Sequence, residues 1–403
     1  MTKPIVDNQK IEELLTRGVD EVIDKDSLRQ KLLSGKQLRI KLGIDPTSPN
    51  LHLGRSIPLL KLKDFQDLGH QIVFIVGDFT GVIGDTSDKD SERPMLTAEA
   101  IKKNMKDYTK QAGKIIDLKK CEVQYNSKWL AKLTFDKIGE QADQFSVAEF
   151  IARENIKKRL DNSKRVSLRE MLYPLMQGYD SVMVKADVEI GGTDQRFNLL
   201  AGRKLQNYFK QAAQDIILNP LIEGIDGRKM SSSWGNTINL IDEPGEMFGR
   251  VMSLNDELII KYFILTTRLP MVEIKKYEQE LKLFSDSVKS QSDSIEVLLA
   301  KEIVTMYHSA KAAELAEVEF NKIFRDKERP SEIPKVKVEL KKWSPADLLV
   351  KLDLVSSKAE AQRLIAQGGV RLNDRIINDW RELIEVGMGD VIQVGKRNFV
   401  EIK

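Results

Sequence analysis

The run Ile72-Val73-Phe74-Ile75-Val76, emptying into Gly77-Asp78-Phe79-Thr80-Gly81-Val82-Ile83-Gly84-Asp85, decides the fold class. Five unbroken apolar residues suit a parallel strand buried on both faces, and the glycine-rich segment suits a loop at its carboxyl end. Upstream, Leu51 to Leu68 has helical spacing closed by Gly69, and Leu38-Arg39-Ile40-Lys41-Leu42-Gly43-Ile44 alternates like a strand. Strand, helix, strand, loop opens a doubly wound α/β domain built on a parallel sheet. Ligands of such domains sit beyond the carboxyl ends of the strands.

Further out, Ile11 to Leu33 reads as one helix ending at Gly35. Residues from about 97 to 179 read as a mostly helical insertion between two halves of the sheet. The α/β pattern resumes over Val182 to Ile190 and runs into Gly191-Gly192-Thr193-Asp194-Gln195. Glu246 to Phe324 is helical in pattern, and Asp326 to Lys342, with Pro330, Pro334 and several lysines, reads as a linker. Short helices over Pro345–Leu352 and Lys358–Gln367 precede strand-like pieces. The expected division is an α/β domain over 1–235, a helical bundle over 236–325, a linker over 326–343 and a small α+β domain over 344–403.

At 403 residues, two to four domains are expected. The content of 41% hydrophobic and 31% charged residues is that of a globular protein. A net charge of +3 means that any nucleic-acid binding rests on local patches. The single cysteine, Cys121, excludes an internal disulfide framework and a cysteine-rich metal site. The N-terminal residues lack an apolar signal region, and no run is long and apolar enough to span a bilayer, so a cytoplasmic protein without membrane association is expected.

Two short motifs carry chemistry. Leu51-His52-Leu53-Gly54-Arg55 follows Gly43-Ile44-Asp45-Pro46-Thr47 at the start of a helix, where unpaired N–H groups and the dipole attract phosphate. Gly54 lets a purine or ribose approach the backbone, and His52 can donate to an α-phosphate that gains charge in the transition state. Far downstream, Lys229-Met230-Ser231-Ser232-Ser233 lies in a polar, glycine-flanked loop suited to following departing phosphates. His70 and His308 have no partner motif.

This ordered pair of motifs resembles the nucleotide signatures of class I aminoacyl-tRNA synthetases, and the remaining motifs resemble the bacterial tyrosyl-tRNA synthetase family over nearly the whole chain. The resemblance implies a Rossmann-like doubly wound parallel-sheet catalytic domain, an α-helical anticodon-binding bundle and a C-terminal RNA-binding domain shared with a small-subunit ribosomal protein. It implies ATP as substrate with magnesium on its phosphates, no protein-bound cofactor or dedicated metal site, and catalysis by alignment without a covalent enzyme intermediate. By the same likeness, His52 stabilises the transition state, while Asp45, Gly54, Gly192, Asp194 and Ile222 hold the nucleotide. Lys229, Ser232, Ser233, Lys89 and Arg93 attend the pyrophosphate. Two positions depart from the family's pattern: Arg55 stands for a second histidine and Ser232 for a second lysine. Arg55 offers a permanently charged phosphate donor in exchange.

The segment from Tyr173 to Asp180 carries the amino-acid specificity. Residues 173, 177 and 180 fall on one helix face and present a phenol, an amide and a carboxylate. In tyrosine-specific members this spacing places Asp180 against the substrate phenol, with Tyr173, Gln177 and Asp85 at its ammonium and Gln195 beside its carboxyl group. A carboxylate awaiting a phenol penalises phenylalanine, which leaves it unpaired. Lys41 aligns with the family's second phenol-reading residue.

The implied partners are tyrosine, ATP, tRNA(Tyr) and a second copy of the chain. The insertion before Tyr173 resembles the family's dimer interface, and Lys358, Arg363, Arg371 and Arg375 flank the Gly368-Gly369 turn as candidate RNA contacts. The alternatives are the tryptophan enzyme, which Asp180 and the C-terminal module disfavour, and a non-catalytic RNA-binding paralogue, which the intact His52, Lys229, Asp194 and Gln195 disfavour.

Overall fold

The computed structural model describes residues 3–87, 95–283, 289–326, 328–330, 333–395 and 398–403. The chain divides into two compact units, Met1–Ser309 and Ala310–Lys403.

The first unit is built on a six-stranded sheet. Its strands are β1 (Glu21–Ile23), β2 (Arg39–Ile44), β3 (Gln71–Val76), β4 (Glu122–Tyr125), β5 (Val188–Gly192) and β6 (Asp215–Asn219), in the spatial order β1-β6-β5-β2-β3-β4. Neighbours run parallel except β1, which is antiparallel to β6. Ile72 to Val76 are at most 1% exposed, the double-sided burial that their unbroken apolar run implies. The chain moves outward from β2 to β3 and β4, then returns to the other side of β2 as β5 and β6. This reversal opens a crevice beyond the carboxyl ends of β2 and β5. The helix Leu53–Asp67 links β2 to β3 and gives way at Gly69, whose φ of +85° suits glycine.

Two expectations are corrected. Ile11 to Leu33 is two helices, Asn8–Thr16 and Lys25–Leu33, with β1 between them. Gly18, at φ +60°, turns the chain, and residues 21–23 find hydrogen bonds on the edge of β6 that no local pattern announces. The insertion also carries one strand, β4, which extends the sheet beside β3, aligning Val73 with Glu122. The presumed linker contains two-residue strands, β7 (Lys335–Val336) and β8 (Lys342–Trp343), too short to show a periodicity. In addition, the compact division falls between Ser309 and Ala310, inside the stretch expected to form one bundle.

The helices from Pro244 to Tyr307 belong to the first unit. Arg17 donates to the carbonyls of Ile264, Leu269 and Thr267 at 2.8–3.1 Å, and Arg268 pairs with Asp64 at 2.9 Å. These bonds satisfy the carbonyl ends of one bundle helix and join it to the sheet domain.

In the second unit, β9 (Val370–Leu372), β10 (Arg375–Ile376), β11 (Ile384–Glu385), β12 (Val391–Val394) and β13 (Asn398–Ile402) complete the strands. One sheet has the order β10-β9-β12-β13-β7, and β8 pairs with β11. Asn373 and Asp374, both at positive φ, make the two-residue hairpin between β9 and β10. Leu348, Leu349, Ala361 and Ile365 from helices Pro345–Lys351 and Lys358–Ala366 pack with Val370, Ile392 and Ile402.

Candidate active site

A cleft of about 510 Å³ occupies the crevice, lined by the loops after β2, β3, β5 and β6 and by the helix Leu168–Val184. That helix starts with a capping box formed by Ser167 and Glu170, and it turns Tyr173, Gln177 and Asp180 into the cleft. The one-face spacing of these residues is therefore realised.

Asp180 lines the cleft and is 3% exposed. One carboxylate oxygen accepts from Trp129 Nε1 at 2.7 Å, and the other from Asn126 Nδ2 at 3.2 Å. Burial pushes its pKa up to about 7, opposed by the Lys41 ammonium and the two donors. The result is a buried acceptor held in a fixed orientation.

Asn126 connects Asp180 to Asp45. It donates to Thr80 Oγ1 at 2.9 Å, Thr80 donates to Asp45 Oδ1 at 2.7 Å, and the Tyr173 hydroxyl donates to Asp45 Oδ2 at 2.8 Å. Burial raises Asp45 to about 6 despite these donors, and burial together with Asp45 raises the Tyr173 phenol well above its usual range. Gly77 leaves the space that this arrangement needs, because a Cβ there would stand 1.9 Å from Asp45 Oδ1.

Beside Asp45 lies a set of oxygens suited to an ammonium group. Asp85 accepts from Gln195 Nε2 at 2.6 Å and from Ser87 Oγ at 2.7 Å, while Asn198 donates to Gln177 Oε1 at 3.1 Å and to Gln195 Oε1 at 2.9 Å. The loop carrying Asp85 is fastened by Thr86, which donates to Glu170 at 2.6 Å; Glu170 is in turn paired with Arg159.

The two motifs line the same cleft. His52 caps the helix Leu53–Asp67 and is 6% exposed. Burial, reinforced by Arg55 and Lys229, pushes its pKa down to about 3, so near neutral pH the imidazole is uncharged. Its Nδ1 is buried without a hydrogen-bond partner among the described residues. At Gly54 a Cβ would come within 3.1 Å of that atom, and the Gly54 N–H donates to Met230 Sδ at 3.3 Å. The second motif is thus seated on the first. Lys229 Nζ pairs with Asp194 at 2.8 Å, the Met230 N–H donates to the Ile222 carbonyl at 2.8 Å, and the Ser231 N–H donates to Asn236 Oδ1 at 2.8 Å. At Gly192 a Cβ would fall 2.5 Å from Asp194 Oδ1. Arg55, Ser232 and Ser233 also line the cleft.

Lys41 is the exception among the described residues expected here. It is fully buried outside the cleft lining, donating to the Gln177 carbonyl at 2.9 Å, to Ser181 Oγ at 2.7 Å and to Glu189 at 2.8 Å. Its position on β2 points it beneath the helix, where Glu189 of β5 satisfies its charge; the expected direct contact with a phenol is corrected to support of the helix that carries Asp180. Lys89 and Arg93 lie outside the described residues. Lys358, Arg363, Arg371 and Arg375 are all exposed in the second unit, where Lys358 pairs with Asp347.

Sequence reasoning missed Asn126, Trp129, Thr80 and Asn198. Only Asn126 and Trp129 left a local signal, being three residues apart just after a strand. That strand was hidden in the insertion.

Residues 33–325 match the family described as tRNA synthetases class I (W and Y), and residues 346–391 match the S4 domain. The tyrosine–tRNA ligase of Dehalococcoides mccartyi is 43% identical over 97% of this chain and 98% of its own length. That of Carboxydothermus hydrogenoformans is 44% identical over 99% of each, and that of Thermotoga maritima 43% over 96% of each. Among solved structures, the C-terminally truncated mitochondrial tyrosyl-tRNA synthetase of Coccidioides posadasii shares the fold with a TM-score of 0.62 at 22% identity, over 76% of this chain and 90% of that one. The chain belongs to the class I tRNA synthetases of the tryptophan and tyrosine group and, within it, to the bacterial tyrosine–tRNA ligase family.

Proposed function

We infer that the cleft activates tyrosine with ATP and that the activated tyrosyl group then passes to the terminal adenosine of tRNA(Tyr). The observation that carries this reading is the set of groups gathered by one cleft. Asp180 is a buried carboxylate with two donors; Asp45 and Tyr173 are linked to it through Asn126 and Thr80, with Asp85, Gln177 and Gln195 on the same lining; and His52, Asp194 and Lys229 of the nucleotide motifs complete it. Tyrosyl-adenylate offers a phenol, an ammonium group and a nucleotide to match.

In the first step a carboxylate oxygen of tyrosine attacks the α-phosphorus of ATP, and the bond to the bridging oxygen breaks as pyrophosphate leaves with its electron pair. Tyr173, Asp85 and Gln177 fix the ammonium, and Gln195 stands beside the attacking carboxylate. Neutral His52 donates through its ring N–H to the α-phosphate, a differential stabilisation typically worth about 3 kcal/mol. Lys229 exchanges its Asp194 partner for the departing phosphates, while Asp194 and Gly192 take the ribose and Ile222 lies by the adenine. In the second step a ribose hydroxyl of the tRNA attacks the anhydride carbonyl and AMP leaves; no enzyme nucleophile takes part.

Magnesium belongs to this scheme as part of the ATP substrate, held on its phosphates. We place the enzyme in the cytoplasm as a homodimer. Phe135, Val147 and Leu168 are 91%, 73% and 83% exposed in and beside the insertion, an apolar set suited to a twofold partner. Among the described residues no helix is long and apolar enough to cross a membrane. The exposed Lys358, Arg363, Arg371 and Arg375 supply phosphate contacts for structured RNA.

ATP–pyrophosphate exchange, run with each standard amino acid in turn, tests the reading. Exchange with tyrosine alone supports it. Exchange with tryptophan transfers the chain to that specificity, and no exchange with any amino acid points to a binding protein.

A further inference from the structure

The two departures from the family's motif pattern, Arg55 and Ser232, meet in the fold. Arg55 Nη1 donates to the Tyr108 hydroxyl and, at 3.3 Å, to the Asp45 carbonyl, while Nη2 donates to Thr47 Oγ1 at 3.2 Å. The Tyr108 hydroxyl lies 3.3 Å from Ser48 Oγ, and Ser232 Oγ donates to the same oxygen at 3.5 Å. Tyr108 is 1% exposed on the helix Ala98–Ala112, which grips the motif loop from behind. On the same helix, Asn104 donates to the Pro46 carbonyl at 2.9 Å, and Gln111 accepts from the Leu51 N–H at 2.7 Å.

Charge distribution gives this chain a purpose. Among the described residues lining the cleft, the standing cations are Arg55 and Lys229, facing Asp45, Asp85, Asp180 and Asp194. Lys229 is paired with Asp194, whereas the hydrogen bonds of Arg55 among the described residues go to neutral oxygens. Arg55 also sits in the first turn of its helix, which contains no acidic residue. A cation is disfavoured at that positive dipole end unless an anion joins it. Bound polyphosphate supplies that anion.

We propose that Arg55 carries the pyrophosphate-binding charge that Ser232 lacks, with Tyr108 as the positioning residue that aims its guanidinium. Ser48 joins the helix start of the first motif to the loop of the second. A planar guanidinium held from behind offers paired donors to phosphate oxygens in one orientation, which a flexible lysine does not. The inference rests on the ATP-dependent activation argued above.

Pyrophosphorolysis of enzyme-bound tyrosyl-adenylate reads the pyrophosphate interaction directly, and the KM for tyrosine in exchange serves as the control. R55H raises the KM for pyrophosphate about tenfold or more and leaves the tyrosine KM within about twofold. Adding S232K to R55H recovers most of the loss, so the two substitutions are strongly non-additive. Y108F raises the pyrophosphate KM by about three- to tenfold and leaves the tyrosine KM within about twofold. Additive effects of R55H and S232K, or an R55H loss shared equally by tyrosine, overturn the exchange of charge. A Y108F variant that loses thermal stability but keeps its pyrophosphate KM overturns the positioning role. Wild-type enzyme without tyrosine-dependent exchange overturns the functional reading itself, whereas normal wild-type exchange with an unaffected R55H overturns only this proposal.

Discussion

Asp180→Asn is the substitution on which the specificity argument turns. It keeps the size of the side chain and removes its charge. Trp129 Nε1–H and Asn126 Nδ2–H both point at carboxylate oxygens, whereas an amide offers one oxygen and one NH₂ group, so one donor now faces another donor. The unsatisfied buried group costs about 1–3 kcal/mol of stability. Towards the substrate, a phenol bonded to a charged acceptor gains about 1.5–3 kcal/mol, which corresponds to roughly a 10- to 150-fold fall in kcat/KM for tyrosine when it is lost. The KM for ATP should move by less than about threefold, since the Asp180 carboxylate is bonded to Trp129 and Asn126 rather than to either nucleotide motif. Phenylalanine escapes the penalty of an unpaired carboxylate, so its disadvantage against tyrosine narrows.

The same residue sets a pH signature. Burial pushes the Asp180 pKa up to about 7. The accepting form therefore accumulates as pH rises through that value, and wild-type kcat/KM for tyrosine rises with it, while the variant stays flat. For stability the sign is opposite. A folded-state pKa above the unfolded value of about 3.9 means that the native state holds the proton more tightly. The contribution is complete below the unfolded pKa and is lost as pH rises through about 7. The thermal-midpoint gap between wild type and variant consequently shifts in favour of the variant from about pH 5 to about pH 8. Stopped-flow or exchange kinetics with tyrosine, phenylalanine and ATP varied separately, with thermal melts across that range, measure all of these. Equal losses for tyrosine and ATP, or unchanged discrimination against phenylalanine, refute the assignment.

Two other perturbations follow from close contacts. Gly77→Ala puts a methyl group 1.9 Å from Asp45 Oδ1 and 2.4 Å from Thr80 Oγ1, so exchange activity should fall at least about tenfold while the circular dichroism of the fold is retained; near-normal activity contradicts the cradle described for Asp45. Arg159→Met strands Glu170, with side chains 1% and 0% exposed in the native pair, and should cost about 3–5 kcal/mol in denaturant unfolding, whereas the double replacement Arg159→Met with Glu170→Met restores much of it.

Much of the catalytic site was legible because its signals are local. Five apolar residues announced β3, glycines marked the loops, and the spacing of Tyr173, Gln177 and Asp180 belongs to a single helix. Lys41 misled because alignment places a residue along a strand but does not say which buried partner takes its charge; Glu189, on a neighbouring strand, does so here. The first helix was overextended for a related reason. Strand β1 gains its hydrogen bonds from β6, nearly two hundred residues away, and three residues have no pattern of their own.

The sequence by itself determined the doubly wound sheet, the two glycine-flanked motifs and the shared helix face of Tyr173, Gln177 and Asp180, since periodicity and motif spacing are short-range properties of the chain. Only the tertiary structure decided how those groups are held. The bonds from Trp129 and Asn126 to Asp180, from Thr80 to Asp45 and from Tyr108 to Arg55 each join separate elements. Buried polar atoms must find partners wherever packing brings donors and acceptors together, and that choice is made in three dimensions rather than along the chain.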